Sequence, residues 1–177
     1  MASKPMRAFL DARLANCRMQ RTSVQESGIR VSTQPVAGEE EIVFFHTDTD
    51  EGRKSLEMTI EGESSEKICD YLIYYSRVNT HNEIACFLEL KGTDLATAVK
   101  QVEITHRQTK TLMQGEIHSK YHQNFTFRIC ICLRSQAPST SQRIRDSLIQ
   151  KFGGKNIEIR HGIKRHDIGP LLRRDTR

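Results

Sequence analysis

Two apolar runs followed by a change of period do most to restrict the fold of this chain. The runs are ICDYLIYY (68–75) and EIACFLEL (83–90), joined by the polar SRVNTHN. Both are short and rich in Ile, Phe and Tyr, so they predict a pair of β-strands. The first is apolar on both faces and belongs in the middle of a sheet. Beyond it the period switches: Leu95, Ala98, Val99 and Val102 form an i, i+3, i+4, i+7 stripe. That stripe predicts an amphipathic helix over 94–110, capped by Asp94 or Thr93. FTFRICICL (125–133) predicts another strand, 139–152 a helix stopped at Gly153-Gly154, and 157–163 a last strand. Upstream, Phe9, Leu10, Leu14 and Cys17 predict a helix over 6–20, and 21–38 reads as a loop or extended arm. Short strands are expected over 41–45 and 56–61, separated by a turn over 46–54. The fold class is therefore α/β, a mixed central β-sheet flanked by helices. Residues 1–38 would form an N-terminal helix and arm, 39–163 the α/β domain, and 164–177 a basic C-terminal tail.

With 177 residues the chain has the length of one domain. No run approaches the roughly 20 apolar residues of a membrane helix, so no membrane span is expected. Asp11 and several Arg interrupt the first apolar positions, so no secretory signal is expected. The five cysteines, Cys17, Cys69, Cys86, Cys130 and Cys132, are an odd number and lie mostly in strand-like runs. Buried thiols of a reducing compartment fit that pattern, and the cytoplasm is the expected location. Cys130-Ile131-Cys132 lacks the two-residue gap of a zinc knuckle and reads as core. Of the histidines, His118, His122, His161 and His166 show no metal-ligand spacing. A Gly-X-Ser-X-Gly elbow is absent, and Phe152-Gly-Gly-Lys155 lacks the spacing of a phosphate loop. The net charge of +5 is unevenly spread, with a strongly acidic stretch over 35–67 between basic ends. Such ends suit a polyanion.

One place breaks the local rule for a buried strand. Asp70 interrupts its apolar run, and Glu89 and Lys91 close the next one. Alternation puts Glu89 and Lys91 on one face, roughly 6–7 Å apart along the strand. If the two strands pair as a hairpin, Asp70 approaches Glu89, and two carboxylates and an ammonium converge at one end of the sheet. A divalent cation relieves the repulsion of paired carboxylates, and hard oxygen ligands suit Mg²⁺. The main-chain carbonyl of Leu90 lies between the two side chains and could add a ligand. Gln101, one turn beyond Ala98, could reach the same pocket. A lysine beside such a metal can hold the attacking water and stabilise charge on a phosphate.

Asp70, an 18-residue gap, then Glu89-Leu90-Lys91 resembles the PD-(D/E)XK nuclease superfamily, with its restriction-endonuclease-like core. The wider string KICDYL…FLELKGTDLATAVKQV is similar to many small members, in which Glu-X-Lys-Gly leads into a helix bearing Ala-X-X-Gln. Residues 56–132 carry the likeness, and Cys69 replaces the signature proline. The resemblance implies a Mg²⁺-dependent nuclease, with Mn²⁺ as a substitute, hydrolysing phosphodiester bonds of DNA rather than RNA. Phage defence or DNA repair would suit such an enzyme. Asp70, Glu89 and the Leu90 carbonyl would hold the metal, Lys91 would be the catalytic lysine and Gln101 an accessory residue. An upstream acid often completes such sites, and Glu26, Glu39, Glu40 or Glu66 could supply it. Lys164, Arg165, Arg173 and Arg174 are the expected nucleic-acid contacts, and cutting both strands of a duplex would suit a homodimer or larger assembly. The alternative is a non-catalytic nucleic-acid-binding or assembly subunit with the same fold.

Overall fold

A computed structural model describes residues 4–57, 67–136 and 141–174. In chain order the elements are α1 (Pro5–Arg13), β1 (Ser23–Glu26), β2 (Ile29–Ser32), β3 (Glu40–His46), α2 (Asp50–Ser55), β4 (Tyr71–Arg77) and β5 (Glu83–Lys91). There follow α3 (Leu95–Glu116), β6 (Phe125–Leu133), α4 (Ser141–Phe152), β7 (Ile157–Arg160), β8 (Arg165–Asp167) and α5 (Gly169–Arg173). Five strands form a mixed sheet in the order β3-β4-β5-β6-β7. The β3/β4 and β4/β5 pairs are antiparallel, and β5/β6 and β6/β7 are parallel. This is the expected α/β class. The two apolar runs pair as a hairpin next to the centre of the sheet, and the helical stripe becomes the crossover α3 between parallel β5 and β6. Asp94 caps that helix, its carboxylate accepting from Thr97 N–H at 3.0 Å.

The sheet has two different faces. Phe45, Leu72, Tyr74, Phe87, Ile129 and Ile131 pack toward α1, α3 and α4. Met6, Phe9 and Leu10 fasten α1 to that face. Its first turn is held by Glu83, whose carboxylate accepts from Met6 N–H at 3.2 Å and Arg7 N–H at 3.0 Å, satisfying two otherwise orphan helix donors. Ile42, Phe44, Ile73, Tyr75, Cys86 and Leu88 point the other way, against Val24, Ile29, Val31 and the Leu171-Leu172 pair. A second, three-stranded sheet, β1-β2-β8, covers this side.

That small sheet changes the reading of both ends. The stretch 21–38 is a hairpin rather than a loop: β1 and β2 pair across a turn in which Ser27 (φ 51°) and Gly28 (φ 74°) both adopt positive φ. Residues 165–167, part of the segment read as a tail, lie parallel to β2 in the register Arg30↔Arg165 to Ser32↔Asp167. The helix α5 then buries Leu171 and Leu172 in the same core as the hairpin. The segments 4–38 and 164–174 thus meet each other and the central sheet. The turn expected over 46–54 contains a real helix, α2, capped by the Thr49 hydroxyl accepting from Gly52 N–H at 2.9 Å. Leu56, expected to open a strand, is the C-cap of that helix; residues 58–61 of the same expectation lie outside the described residues. All five cysteines are buried and free. Among the described residues no helix is long and apolar enough to cross a membrane.

Candidate active site

The register of the β4/β5 hairpin builds the site. Tyr71 pairs with Leu88, which sets Asp70, the residue just before β4, beside Glu89 on β5. The two are locked reciprocally. Asp70 N–H donates to Glu89 Oε2 at 3.0 Å, and Leu90 N–H donates to Asp70 Oδ2 at 2.7 Å. Both side chains are buried, Asp70 at 3% and Glu89 at 0% exposure. Lys91, two residues on, follows the same face and brings Nζ to 2.9 Å from Glu89 Oε1. No hydrogen bond of good geometry reaches that oxygen besides this ion contact. The structure therefore brings together Asp70, Glu89 and Lys91 where strand pairing places them.

Burial pushes the Asp70 carboxyl well above the usual carboxylate range, and the neighbouring Glu89 and then Glu26 push it further. Burial raises Glu89 as well, with Asp48 adding repulsion against the lowering influence of Lys91. For Lys91, burial disfavours the charge, but Glu89, Asp70 and Asp48 together outweigh it and hold the amine as an ammonium. Four carboxylates, Glu26, Asp48, Asp70 and Glu89, act on a site with one lysine, and Asp48 also pairs with Arg53. Acidic groups outnumber the cations here, and among the described residues Glu89 Oε1 has only the Lys91 contact. Carboxylate oxygens of this kind are the donors that hard divalent cations such as Mg²⁺ or Mn²⁺ take.

A second ring holds the segment that carries Asp70. Gln101, buried on α3, donates from Nε2 to the Ile68 carbonyl at 2.8 Å. Thr105 accepts from Cys69 N–H at 2.9 Å and donates to the Gln101 carbonyl at 2.7 Å. From the other side, the Thr47 hydroxyl donates to the Cys69 carbonyl at 2.6 Å, and Thr47 N–H to the Asp70 carbonyl at 2.9 Å. Gln101 thus grips main chain next to Asp70, and its buried amide oxygen has no hydrogen-bond partner among the described residues.

Of the three upstream acids among the described residues, Glu26 at the end of β1 is the one that acts on the site; the Tyr71 hydroxyl donates to it at 3.4 Å. Glu39 and Glu40 lie at the far end of β3, since it is His46 that pairs with Tyr71. Glu66 lies outside the described residues. Asp48, between β3 and α2, was not singled out from the sequence; its signal there is an acid placed just after a strand and just before a capped helix. Arg134 was missed too. Its N–H donates to the Lys91 carbonyl at 3.0 Å, and its exposed guanidinium sits over Gly28 of the hairpin turn.

The four basic residues expected to meet nucleic acid divide into two pairs. Lys164 and Arg165 are exposed on and before β8. Just before them, Gly162 N–H donates to the Ser135 carbonyl and Ser135 N–H to the carbonyl of Gly92, the residue after Lys91. Arg173 and Arg174 are occupied within the fold. Arg173 makes two contacts of 2.8 Å with Glu40 and one of 2.6 Å with the Gln34 carbonyl. Arg174 binds the Lys155 carbonyl at 2.9 Å and Glu158 at 3.3 Å. They fasten the C-terminal segment to the sheet. No family model, curated protein or solved structure matches this chain, so its reading rests on these residues and their geometry.

Proposed function

We propose that this chain is a metal-dependent nuclease built on a restriction-endonuclease-like core, hydrolysing phosphodiester bonds, with DNA the preferred substrate. The observation that carries the reading is the buried Asp70–Glu89 lock with Lys91 in contact with Glu89. A bound Mg²⁺ or Mn²⁺ would supply Lewis acidity toward a phosphoryl oxygen and lower the pKa of water. Asp70 and Glu89 would hold it, with the Leu90 carbonyl as the further ligand implied by the resemblance. Their main-chain hydrogen bonds fix the carboxylates before substrate arrives, so little reorganisation is required of them. Lys91 remains charged between the acids and can donate to the attacking water or to a phosphate oxygen as negative charge develops. Gln101 and Thr105 position Asp70 through its backbone rather than by touching substrate. Arg134, Lys164 and Arg165 are exposed cations that could meet a phosphate backbone. One site per chain makes a homodimer the simplest assembly for cutting both strands of a duplex.

The test is incubation of the purified protein with supercoiled, linear and single-stranded DNA and with RNA, each in Mg²⁺, Mn²⁺ or EDTA. Cleavage of DNA that requires the metal is expected. Folded protein that binds DNA in a salt-sensitive way but cuts nothing in either metal would overturn the enzyme in favour of a binding subunit.

A further inference from the structure

On the face of the central sheet opposite Glu89 and Lys91, β6 turns Cys130 and Cys132 inward. Their sulfurs are 3.8 Å apart. The neighbouring β7 sets Glu158 in register with Cys130. The small sheet completes the group by bringing His166 of β8 over them, so that one ligand atom each from Cys130, Cys132 and His166 lies within 4.8 Å of the others. Glu158 Oε1 is 3.1 Å from His166 Nε2, which makes no hydrogen bond of good geometry. Both thiols are fully buried, and the His166 and Glu158 side chains are 12% and 9% exposed.

Two of these spacings are those of a zinc tetrahedron. Two sulfurs each ~2.3 Å from one zinc ion stand about 3.8 Å apart, and nitrogen and oxygen ligands at ~2.0–2.1 Å stand about 3.3 Å apart. The observed 3.8 Å and 3.1 Å fit two of the tetrahedron's six edges. Cys130, Cys132 and His166 form the close group, and Glu158, beside His166 but outside that group, would turn toward the sulfurs to bind. We propose that Cys130, Cys132, His166 and Glu158 form a structural zinc site that ties β6 and β7 of the central sheet to β8 of the small one. Thiolate and imidazole ligands select Zn²⁺ over the hard cation of the nuclease site. Each thiol gives its proton to solvent as its Zn–S bond forms, while the carboxylate and the imidazole lone pair enter without proton loss. Two thiolates and a carboxylate around Zn²⁺ leave one negative charge. Arg160 Nε, 2.7 Å from Glu158 Oε1, and Arg174 Nη2, 3.3 Å from Oε2, balance it and orient the carboxylate. His166, 12% exposed, is the most accessible of the four side chains.

The strand spacing Cys-X-Cys conceals such a site in the sequence, because its other two ligands arrive from β7 and β8. The inference is independent of the nuclease reading, whose carboxylates occupy the other face. The experiment measures metal in the full-length chain as purified, then titrates the EDTA-treated protein with Zn²⁺ alone and with Co²⁺ alone. About one Zn²⁺ per chain is expected. Co²⁺ should give the strong visible bands of tetrahedral cobalt and a near-ultraviolet thiolate charge-transfer band. Cys132→Ser should remove the charge-transfer intensity. His166→Gln, at the rim, should keep its circular dichroism yet weaken Zn²⁺ by more than the roughly 10–100-fold typical of an outer-sphere change. Lys91→Ala should retain the zinc. Folded wild-type protein without stoichiometric Zn²⁺, or a Co²⁺ spectrum lacking thiolate charge transfer, would overturn the proposal, and neither result needs a variant to fold.

Discussion

The salt bridge from Arg173 to Glu40 should stabilise the fold, and breaking it measures how firmly the C-terminal segment is held. The Glu40 carboxylate is nearly inaccessible at 1% and accepts from Arg173 Nε and Nη2, the Tyr75 hydroxyl at 2.9 Å and Val36 N–H at 3.0 Å. The Arg173 guanidinium is the largest cause lowering its pKa from 4.5 to about 2, against the opposing effect of burial. At 1.36 kcal/mol per pKa unit the ceiling is about 3 kcal/mol. Arg173 is 29% exposed, and solvent screening reduces the expected value to about 1–2 kcal/mol. Because the folded pKa is depressed, this stability is present above the unfolded value of 4.5 and is lost as pH falls toward 2. Glu40→Gln, Arg173→Gln and the double variant, unfolded in urea at pH 7, 4 and 3, give the coupling directly. A coupling of about 1 kcal/mol or more at pH 7 that shrinks below pH 4.5 is expected. A coupling of zero at pH 7, or one that does not change with pH, would refute the argument.

Three further outcomes follow from the packing. His106 is wedged edge-on among Phe87, Phe127 and Phe152, and burial, then Lys110 and Lys151, lower its pKa from 6.5 to about 4 against a weak opposing effect of Glu103. It is neutral in the fold, so its contribution is lost as pH falls from 6.5 to 4; His106→Phe should remove about 1 kcal/mol of the pH 8-to-5 loss, read by thermal melting. A Cβ on Gly52 would lie 2.1 Å from the Thr47 carbonyl oxygen, backbone against backbone, so Gly52→Ala should cost about 1–3 kcal/mol in urea unfolding. Gln101→Leu leaves the buried Ile68 carbonyl without its donor; it should cost about 1–3 kcal/mol and lower kcat more than it raises KM for DNA.

The central hairpin and crossover were readable because each buries a long, one-sided or two-sided apolar pattern. The site followed from them: once β4 and β5 pair antiparallel, alternation alone brings Asp70, Glu89 and Lys91 to one end of the sheet. What escaped the sequence depends on partners far along the chain. Three- and four-residue strands such as β8 and β2 carry too few residues to show a period, and they pair across more than 130 positions. Asp48 was hidden because α2 is only six residues long and polar outside its cap. Arg173 and Arg174 looked like a free basic run, yet their carboxylate partners, Glu40 and Glu158, lie on β3 and β7. Cys130 and Cys132 were legible as buried thiols, but not as neighbours of His166, for the same reason.

The most direct measurement of the central claim compares wild-type protein with Lys91→Ala on DNA under identical Mg²⁺. Lys91 is partly exposed, with 25% of its side chain accessible, so its removal should leave circular dichroism and the melting transition close to wild type. Cleavage by the wild type, none in EDTA, and a loss of at least about 100-fold in the folded variant are expected. A folded Lys91→Ala protein that cuts DNA at the wild-type rate would contradict the central claim.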